Sequence, residues 1–196
     1  MLKNIQLSLK ETFTNEITKT VEDYLNIFSN EKVRLSQLKK QLSENSDLSD
    51  RKNYAGHITG GALIINDNNR VLLINHKILD RWLPPGGHYD LPEKIYDTGK
   101  REAEEETGVK GLILHSWHIQ HNMIPFDIDT HYIPENKNKN ELEHFHFDFR
   151  YIFRCHNQNL NILKSEILGA RWVTFTEAEQ LFSNYPWNKA KRILNI

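Results

Sequence analysis

The chain has 196 residues, of which 38% are hydrophobic and 26% are charged, and its formal net charge is −1 at pH 7. This length and composition fit one folded domain, with or without a helical extension, and exclude a wholly disordered chain. The near-zero net charge argues against a general nucleic-acid or membrane-surface binder. The single cysteine, Cys155, excludes an intrachain disulfide and a CxxC zinc motif.

The first residues do not form the continuous apolar segment that is typical of a secretory signal. No run of eighteen apolar residues, the length that suggests a membrane span, occurs in the sequence. From these features we expect a cytoplasmic protein without a membrane partner.

Residues 1–50 differ from the rest of the chain because they contain no glycine and no proline. Apolar residues recur there at steps of three and four, which predicts an amphipathic helix followed by a second one. The recurring residues are Phe13, Ile17, Val21, Leu25 and Phe28, and then Leu35, Leu38 and Leu42. The polar segment 43–53 predicts a linker, so we divide the chain into an extension, 1–50, and a domain, 51–196. We expect these helices to pack on the domain. The alternatives are that they form a homodimer or cover part of a substrate cleft.

The domain begins with strand patterns. Residues 56–65 and 70–75 are mostly apolar and flank the turn Asn66-Asp67-Asn68-Asn69, which predicts a hairpin. Further strands are predicted at 111–120, 123–133, 143–154 and 166–173. Thr176 and Glu179 have the spacing of a capping box at the start of a helix. Pro186 predicts the first turn of a last helix that ends at Leu194.

Between the hairpin and the later strands lies the segment 87–109, with the sequence GHYDLPEKIYDTGKREAEEETGV. Glu102, Glu105 and Glu106 are spaced i, i+3 and i+4, so on a helix they share one face. Three like charges on one face repel each other, and a hard divalent cation such as Mg²⁺ would relieve that repulsion. The alternative is a charged helix face in contact with solvent. On the same helix, a stripe of small residues predicts close packing against a sheet; it consists of Thr98, Gly99 and Ala103.

The segment also resembles the Nudix box, in which glycine, five residues, glutamate and seven residues precede Arg-Glu-aliphatic-X-Glu-Glu-X-Gly-aliphatic. Every fixed position is filled, by Gly87, Glu93, Arg101, Glu102, Ala103, Glu105, Glu106, Gly108 and Val109. The resemblance implies an α/β fold, a Nudix α/β/α sandwich with a mixed sheet, over about residues 55–195. The GHITGGALII segment, the PGGH turn and the H-x-H-x-D-x-R strand resemble a bacterial Nudix subgroup with a helical N-terminal extension.

The resemblance further implies a pyrophosphohydrolase that cleaves a nucleoside diphosphate linked to another moiety. Its metal, Mg²⁺ or Mn²⁺, would be bound by Glu102, Glu105 and Glu106 with a backbone carbonyl, that of Gly87 or alternatively that of Gly86. Arg101 and Glu93 are expected to hold the box carboxylates in place. The proposed general base is Glu166, while Glu105, or a water that needs no separate base, is the alternative.

Two of the predicted strands alternate polar and apolar residues. Asp127, Asp129 and His131 share one face of the first strand, and His144, His146, Asp148 and Arg150 share one face of the second. We assign substrate binding to His144, His146, Asp148, Arg150, Asp129 and His131. Two alternatives stay open, a transition-metal site at His144, His146 and Asp148, and a hydrogen-bonded polar patch. His57 and His88 are equally ambiguous.

Two other functions fit a related fold. Isopentenyl-diphosphate isomerases use a cysteine and an altered box, whereas Cys155 lies outside the expected place and the box is intact. A non-catalytic, nucleotide-sensing Nudix domain is the stronger alternative, although such domains often lose box acids. The sequence predicts a nucleotide-type small-molecule partner and leaves ADP-ribose, sugar nucleotides, dinucleoside polyphosphates and oxidised dNTPs open as substrates.

Overall fold

The computed structural model describes residues 2–137 and 141–196. The helices are α1 (Leu2–Ile27), α2 (Ser36–Ser43), α3 (Ile95–Thr107), α4 (Ser116–Gln120), α5 (Phe175–Leu181) and α6 (Trp187–Leu194). The strands are β1 (His57–Asn66), β2 (Val71–His76), β3 (Arg81–Leu83), β4 (Gly86–His88), β5 (Ile113–Leu114), β6 (Asp127–Ile133), β7 (His144–Cys155) and β8 (Ile167–Val173). A turn of 3-10 helix, Ser29–Glu31, separates α1 from α2. Within the described ranges, none of the helices combines the length and apolar content that crossing a membrane requires.

The strands form one mixed sheet whose central pair is β1 and β7. The neighbours run in the order β3-β2-β1-β7-β5, and β4 also pairs with β1, β6 with β7 and β8 with β2. β1 and β7 are parallel, with partners from His57 and His146 at one end to Asn66 and Cys155 at the other. The remaining strand pairs that the structure describes are antiparallel. Both faces of β1 are covered, which explains its nearly continuous apolar sequence.

Apolar side chains are buried on both faces of this sheet. On one face, Phe13 of α1 and Ala103 of α3 belong to the same cluster as Phe147 of β7. On the other face, Phe175 of α5 and Trp187 of α6 pack in a second cluster with residues of β1, β2 and β7. A mixed sheet therefore lies between two helical layers, and the predicted α/β/α sandwich is confirmed.

The two N-terminal helices are present as predicted, and they pack on the sheet. Phe13, Ile17 and Val21 of α1 are at most 6% exposed and belong to the cluster that includes β7. Segment 43–53 is held against the sheet as well, because Leu48 is buried and its carbonyl accepts a hydrogen bond of 2.9 Å from the amide of Ile58. Since the apolar stripe is used within the chain, the packing gives a homodimer no support. The division at residue 50 stays a prediction.

A buried group of charged residues closes the sheet edge at β6. The backbone amide of Ile128 donates a 3.2 Å hydrogen bond to the hydroxyl of Tyr24 in α1. Lys189 of α6 donates to the same hydroxyl at 2.7 Å and to Glu31 at 2.7 Å, and its ammonium lies 3.4 Å from Asp127 of β6. The first and last helices thus meet at an edge strand that would otherwise present unpaired backbone groups.

The strand predicted at 111–120 is largely wrong. Only Ile113–Leu114 is a strand, and Ser116–Gln120 folds into α4. The ring of His115 accepts a 3.3 Å hydrogen bond from the amide of Trp117 and so caps the start of this helix. A histidine cap is not among the common cap residues, and the sequence therefore gives little sign of a helix start here.

Two other boundaries also need correction. The strand predicted at 123–133 begins only at Asp127, because Met123 has a φ of 62°, in the left-handed region where a strand cannot continue. The capping box belongs to Thr174 and Glu177 rather than to Thr176 and Glu179. The amide of Glu177 donates to the Thr174 hydroxyl, and the Glu177 carboxylate accepts from the Thr174 amide, so the helix starts two residues earlier.

We predict that Tyr24→Phe lowers the free energy of unfolding by about 1–3 kcal/mol, because it leaves the buried amide of Ile128 without its partner. Tyr132→Phe is the matched control, since Tyr132 is 52% exposed and its loss should change stability by less than about 0.5 kcal/mol. Denaturant unfolding of both variants checks this. Equal losses in the two variants would contradict the role assigned to Tyr24.

Candidate functional site

Helix α3 lies very close to β1 because small residues face each other at their contact. A Cβ atom added to Gly99 would lie 2.7 Å from the backbone carbon of Gly61. One added to Gly60 would lie 2.7 Å from Cβ of Thr98. Ala103, one turn further along α3, is fully buried. The close packing predicted from the small-residue stripe is confirmed.

The turn at Gly86 and Gly87 lies beneath the acidic face of α3. A Cβ on Gly87 would be 2.3 Å from the carboxyl carbon of Glu102, and one on Gly86 would be 2.6 Å from the carbonyl oxygen of Gly60. Only glycine therefore allows the Glu102 carboxyl group to rest on the backbone of this turn. Gly108, with a φ of 69°, ends α3 in the left-handed conformation, as the sequence predicts.

Arg101 is the hydrogen-bonding centre of the box. It donates two hydrogen bonds to Glu93, at 3.0 and 3.1 Å, and one of 2.8 Å to the carbonyl of His88. Its remaining nitrogen donates to Glu102 at 2.9 Å and to Glu105 at 3.3 Å. These contacts agree with the supporting role predicted for Arg101, and they connect α3 to β4.

Glu93 is engaged by the protein itself. Besides Arg101, its carboxylate accepts hydrogen bonds from the hydroxyl of Thr98 at 2.9 Å and from the amide of Asp90 at 3.0 Å. Burial alone would raise the pKa of Glu93, but the hydrogen bonds from Arg101, Asp90 and Thr98 outweigh it and lower that pKa. An ionised carboxylate with this many donors fits the supporting role better than that of a metal ligand, and the supporting role stays a prediction.

Glu106, unlike Glu93, is buried with few hydrogen-bond donors. It is only 4% exposed, and within the described part of the chain its Oε2 atom has no hydrogen-bond partner. Burial raises its pKa to about 8, helped by the negative charges of Glu102, Glu166 and Glu105, while a hydrogen bond from the backbone of Gly86 acts in the other direction. A buried carboxyl group that has one unpartnered oxygen and lies among other carboxylates fits a bound divalent cation, which would favour its ionised form.

Glu102 and Glu105 lie on the same helix as Glu106 and differ in how exposed their side chains are. The side chain of Glu102 is 17% exposed, and burial raises its pKa although Arg101 opposes the shift. The side chain of Glu105 is 56% exposed, and its contact with Arg101 is the longest of that arginine's box contacts. The three carboxylates predicted as metal ligands therefore share one face of α3, next to the turn that contains Gly87.

Glu166 reaches the same site from another part of the chain. The loop before β8 is attached to the end of α3, since the amides of Asn161 and Leu163 donate to the carbonyls of Thr107 and Glu106 at 2.7 and 2.8 Å. Glu166 follows this loop and is exposed, and its negative charge contributes to the raised pKa values of Glu102 and Glu106. The position agrees with a general base, and that role stays a prediction.

The polar faces of β6 and β7 meet in a buried ion cluster. Arg150, whose side chain is 7% exposed, donates to Asp148 at 2.8 Å, to Asp127 at 3.1 Å and to Asp129 at 2.9 Å, and lies 4.8 Å above the ring of Tyr185. These contacts match the hydrogen-bonded polar patch that we considered as an alternative. Substrate contacts of Arg150, Asp148 and Asp129 stay untested predictions.

The histidines lie at the other end of the same polar face. His57 of β1 is the register partner of His146, and the ring centroids of His57, His144 and His146 are 4.8, 4.8 and 4.9 Å apart. Burial and the neighbouring histidines lower the pKa of His146 to about 2, and burial lowers that of His57. His131 lies beside them, with its Nδ1 atom 3.3 Å from Asp129. The sequence does not reveal the place of His57, because only the parallel pairing of β1 and β7 brings it there.

Curated proteins match short parts of this chain. The chain is 39% identical over 56 residues to the m7GpppN-mRNA hydrolase NUDT17 of Danio rerio, covering 26% of this chain and 19% of that protein. It is 42% identical over 60 residues to nucleoside diphosphate-linked moiety X motif 6 of Xenopus laevis, covering 29% of this chain and 28% of that protein. The chain thus spans less than a third of the length of either relative.

Solved structures share its fold. An Ap4A hydrolase of C. elegans in a binary complex aligns with a TM-score of 0.53 and 19% identity, over 70% of this chain and 97% of that one. The dihydroneopterin triphosphate pyrophosphohydrolase of E. coli aligns with a TM-score of 0.52 and 15% identity, over 71% of this chain and 96% of that one. The family model of the NUDIX domain matches residues 57–193, which is most of the chain. The chain belongs to the Nudix family.

Proposed function

We propose that this protein is a divalent-metal-dependent pyrophosphohydrolase that cleaves a nucleoside diphosphate linked to another moiety. The observation that carries the proposal is the complete box on α3, with Glu102 against Gly87 and with Glu106 buried and unpartnered at Oε2 among the described residues. The m7GpppN-mRNA hydrolase of Danio rerio, which part of the chain matches at 39% identity, supports the same class. We further propose a cytoplasmic location, which suits a chain whose single cysteine is a buried free thiol.

The residues present fit Mg²⁺ or Mn²⁺, because hard cations prefer oxygen ligands. Glu102, Glu105 and Glu106 would hold the ion together with the carbonyl of Gly87. When bound, the cation would neutralise the negative charge on the phosphate oxygens of the substrate.

The protein's own groups then orient the reaction. Arg101, fixed by Glu93 and by the carbonyl of His88, keeps Glu102 and Glu105 in position. Glu166 accepts the proton of the water that attacks phosphorus, because it is exposed and close enough to influence Glu102 and Glu106 electrostatically. The bond between phosphorus and the bridging oxygen breaks, and a nucleoside monophosphate leaves.

The experiment that tests this function measures nucleoside monophosphate released from a substrate panel with Mg²⁺ or Mn²⁺. The panel contains ADP-ribose, sugar nucleotides, dinucleoside polyphosphates, capped dinucleotides and oxidised dNTPs. We expect turnover of at least one diphosphate. Tight binding of a panel member without any cleavage would favour the nucleotide-sensing alternative instead.

We predict that Glu106→Gln lowers kcat by about 10²–10³-fold while the protein stays folded, because it removes a buried negative charge from the cation site. Glu104→Gln is the matched control. Glu104 lies on the same helix, and among the described residues its ion pair is with Lys110, at 3.7 Å. The kcat of Glu104→Gln should therefore stay within about twofold of that of the unaltered protein. Full activity of Glu106→Gln would show that the box is not the catalytic centre.

Glu166→Gln tests the proposed base. If Glu166 takes the proton of the attacking water, kcat should fall by about 10²–10⁴-fold with little change in KM. The acid limb of the kcat profile against pH should also disappear. A variant with unchanged kcat would transfer the role to Glu105 or to a water that needs no separate base.

The raised pKa of Glu106 predicts how the metal-free protein responds to pH. The ordinary pKa of a glutamate side chain is 4.5 and that of Glu106 in the fold is about 8, so between these values the folded state binds a proton that the unfolded state lacks. Stability should therefore fall as the pH rises from about 4.5 to about 8, and this slope should be weaker in Glu106→Gln. Unfolding free energies measured in chelator across this range check the prediction, and identical slopes in both proteins would contradict it.

A further inference from the structure

Three histidines from two strands converge beside the box. His57 is the first residue of β1, and His144 and His146 are the first and third residues of β7. Alternation along β7 puts its two histidines on one face, and the parallel register with β1 adds His57 to that face. The three rings form a nearly equilateral triangle, and one nitrogen from each lies within 4.8 Å of the others.

The hydrogen bonds of two of these rings fix their tautomers. Nδ1 of His144 lies 2.7 Å from the carbonyl oxygen of Leu142, and Nδ1 of His57 lies 3.4 Å from that of Asn53. A carbonyl oxygen only accepts, so both Nδ1 atoms carry the proton and both Nε2 atoms carry a lone pair. A histidine whose Nδ1–H is held by a backbone carbonyl is the usual arrangement for binding a metal through Nε2.

One of these lone pairs has no donor. Nε2 of His57 is buried and, across the described residues, lacks a hydrogen-bond partner. Nε2 of His144 lies 3.1 Å from Nε2 of His146, so a neutral His146 satisfies His144 and leaves His57 unmatched. An unpaired buried acceptor costs stability, and a bound cation would supply its missing partner.

We propose that His57, His144 and His146 form a binding site for Zn²⁺, separate from the carboxylates of α3. Neutral imidazoles suit zinc and do not suit Mg²⁺, which prefers oxygen. His146 joins as a ligand when its proton moves from Nε2 to Nδ1, so binding needs no proton to leave the protein. A tetrahedral zinc bound by nitrogen at about 2.0–2.1 Å puts its ligand atoms about 3.4 Å apart. Nε2 of His144 and Nε2 of His146 are already 3.1 Å apart, and the nitrogen of His57 lies within 4.8 Å of both rings' ligand atoms, so it would have to move closer by at most about 1.4 Å.

The site lies immediately beyond the glycine turn of the box. The ring of His88, the residue after Gly87, is 5.2 Å from those of both His57 and His146. The backbone carbonyl of His88 accepts a hydrogen bond from Arg101. Three protein ligands leave a fourth tetrahedral position for water or for another donor. A zinc ion here would connect β1 and β7 next to the box, whether or not the proposed hydrolase activity is correct.

The test uses the full chain without an affinity tag, stripped of metal and then titrated with Zn²⁺ against a chromophoric chelator. We expect one Zn²⁺ per chain, retained in an excess of Mg²⁺, and a Co²⁺ form with the visible absorption bands of tetrahedral coordination. His57→Gln and His146→Gln should each weaken zinc binding by more than about 100-fold, because even indirect supporting groups cost about 10–100-fold.

Two controls distinguish this site from others. His156→Gln changes a histidine whose side chain is 66% exposed and should bind zinc like the unaltered protein. Glu106→Gln should also retain its zinc, which separates the histidines from the box. Circular dichroism of the metal-free variants checks that they are folded. A folded, unaltered chain that retains no zinc overturns the proposal, and so does zinc that is lost in Glu106→Gln or displaced by Mg²⁺.

Discussion

The site depends on the close contact between α3 and the backbone of β1 and β4. Gly60 and Gly99 leave no room for a side chain at this contact, and Gly87 leaves none beneath Glu102. The carboxyl groups of Glu102 and Glu106 therefore lie against main chain, which, unlike a side chain, cannot adjust when the helix shifts. Their spacing relative to the turn is set by van der Waals contact between backbones. A fold that fixes charged groups in this way would need little rearrangement to hold the cation proposed for this site.

Two groups of acidic residues in this protein differ in how their charge is balanced. Around Arg150 the carboxylates of Asp127, Asp129 and Asp148 each have a close cationic donor. Around Glu106 the carboxylates of Glu102, Glu105 and Glu166 have only Arg101, which is shared with Glu93 and does not reach Glu106 in the described structure. The first arrangement is complete without a ligand, whereas the second carries excess negative charge in a partly buried place. This contrast supports the cation site proposed at Glu106 more strongly than the number of acids does.

The sequence predicts most of the fold because its local patterns agree with the tertiary structure. The alternation in β7, the periodicity of α1 and the left-handed glycine at 108 each depend on near neighbours and could be recognised without coordinates. The box also identifies the helix that carries the candidate site. The predicted elements are wrong where a less common interaction determines the local structure, as with the histidine cap that starts α4 in a segment predicted as a strand.

Long-range relationships could not be predicted in this way. His57 and His146 are brought together by strand register, and Glu166 is brought to Glu106 by a loop that hydrogen-bonds to the end of α3. The burial of Arg150 likewise follows from strands that pair across the sheet, since Asp127 and Arg150 are register partners. Identity and spacing along the chain carry no information on these partners, whereas the pairing of the strands determines them.

The buried group of charged residues at the β6 edge, where Lys189 meets Tyr24, Glu31 and Asp127, has a consequence for how the chain folds during synthesis. Tyr24 and Lys189 are separated by 165 residues, so α1, which is synthesised before α6, cannot make this contact until Lys189 has been added to the chain. Closing so long a loop is slow compared with forming the local hairpin of β1 and β2. α1 is therefore made well before α6 and completes its contacts at this edge only after α6 has formed. A change at Lys189 would remove a contact of a helix 165 residues away, although Phe13, Ile17 and Val21 of that helix stay packed on the sheet.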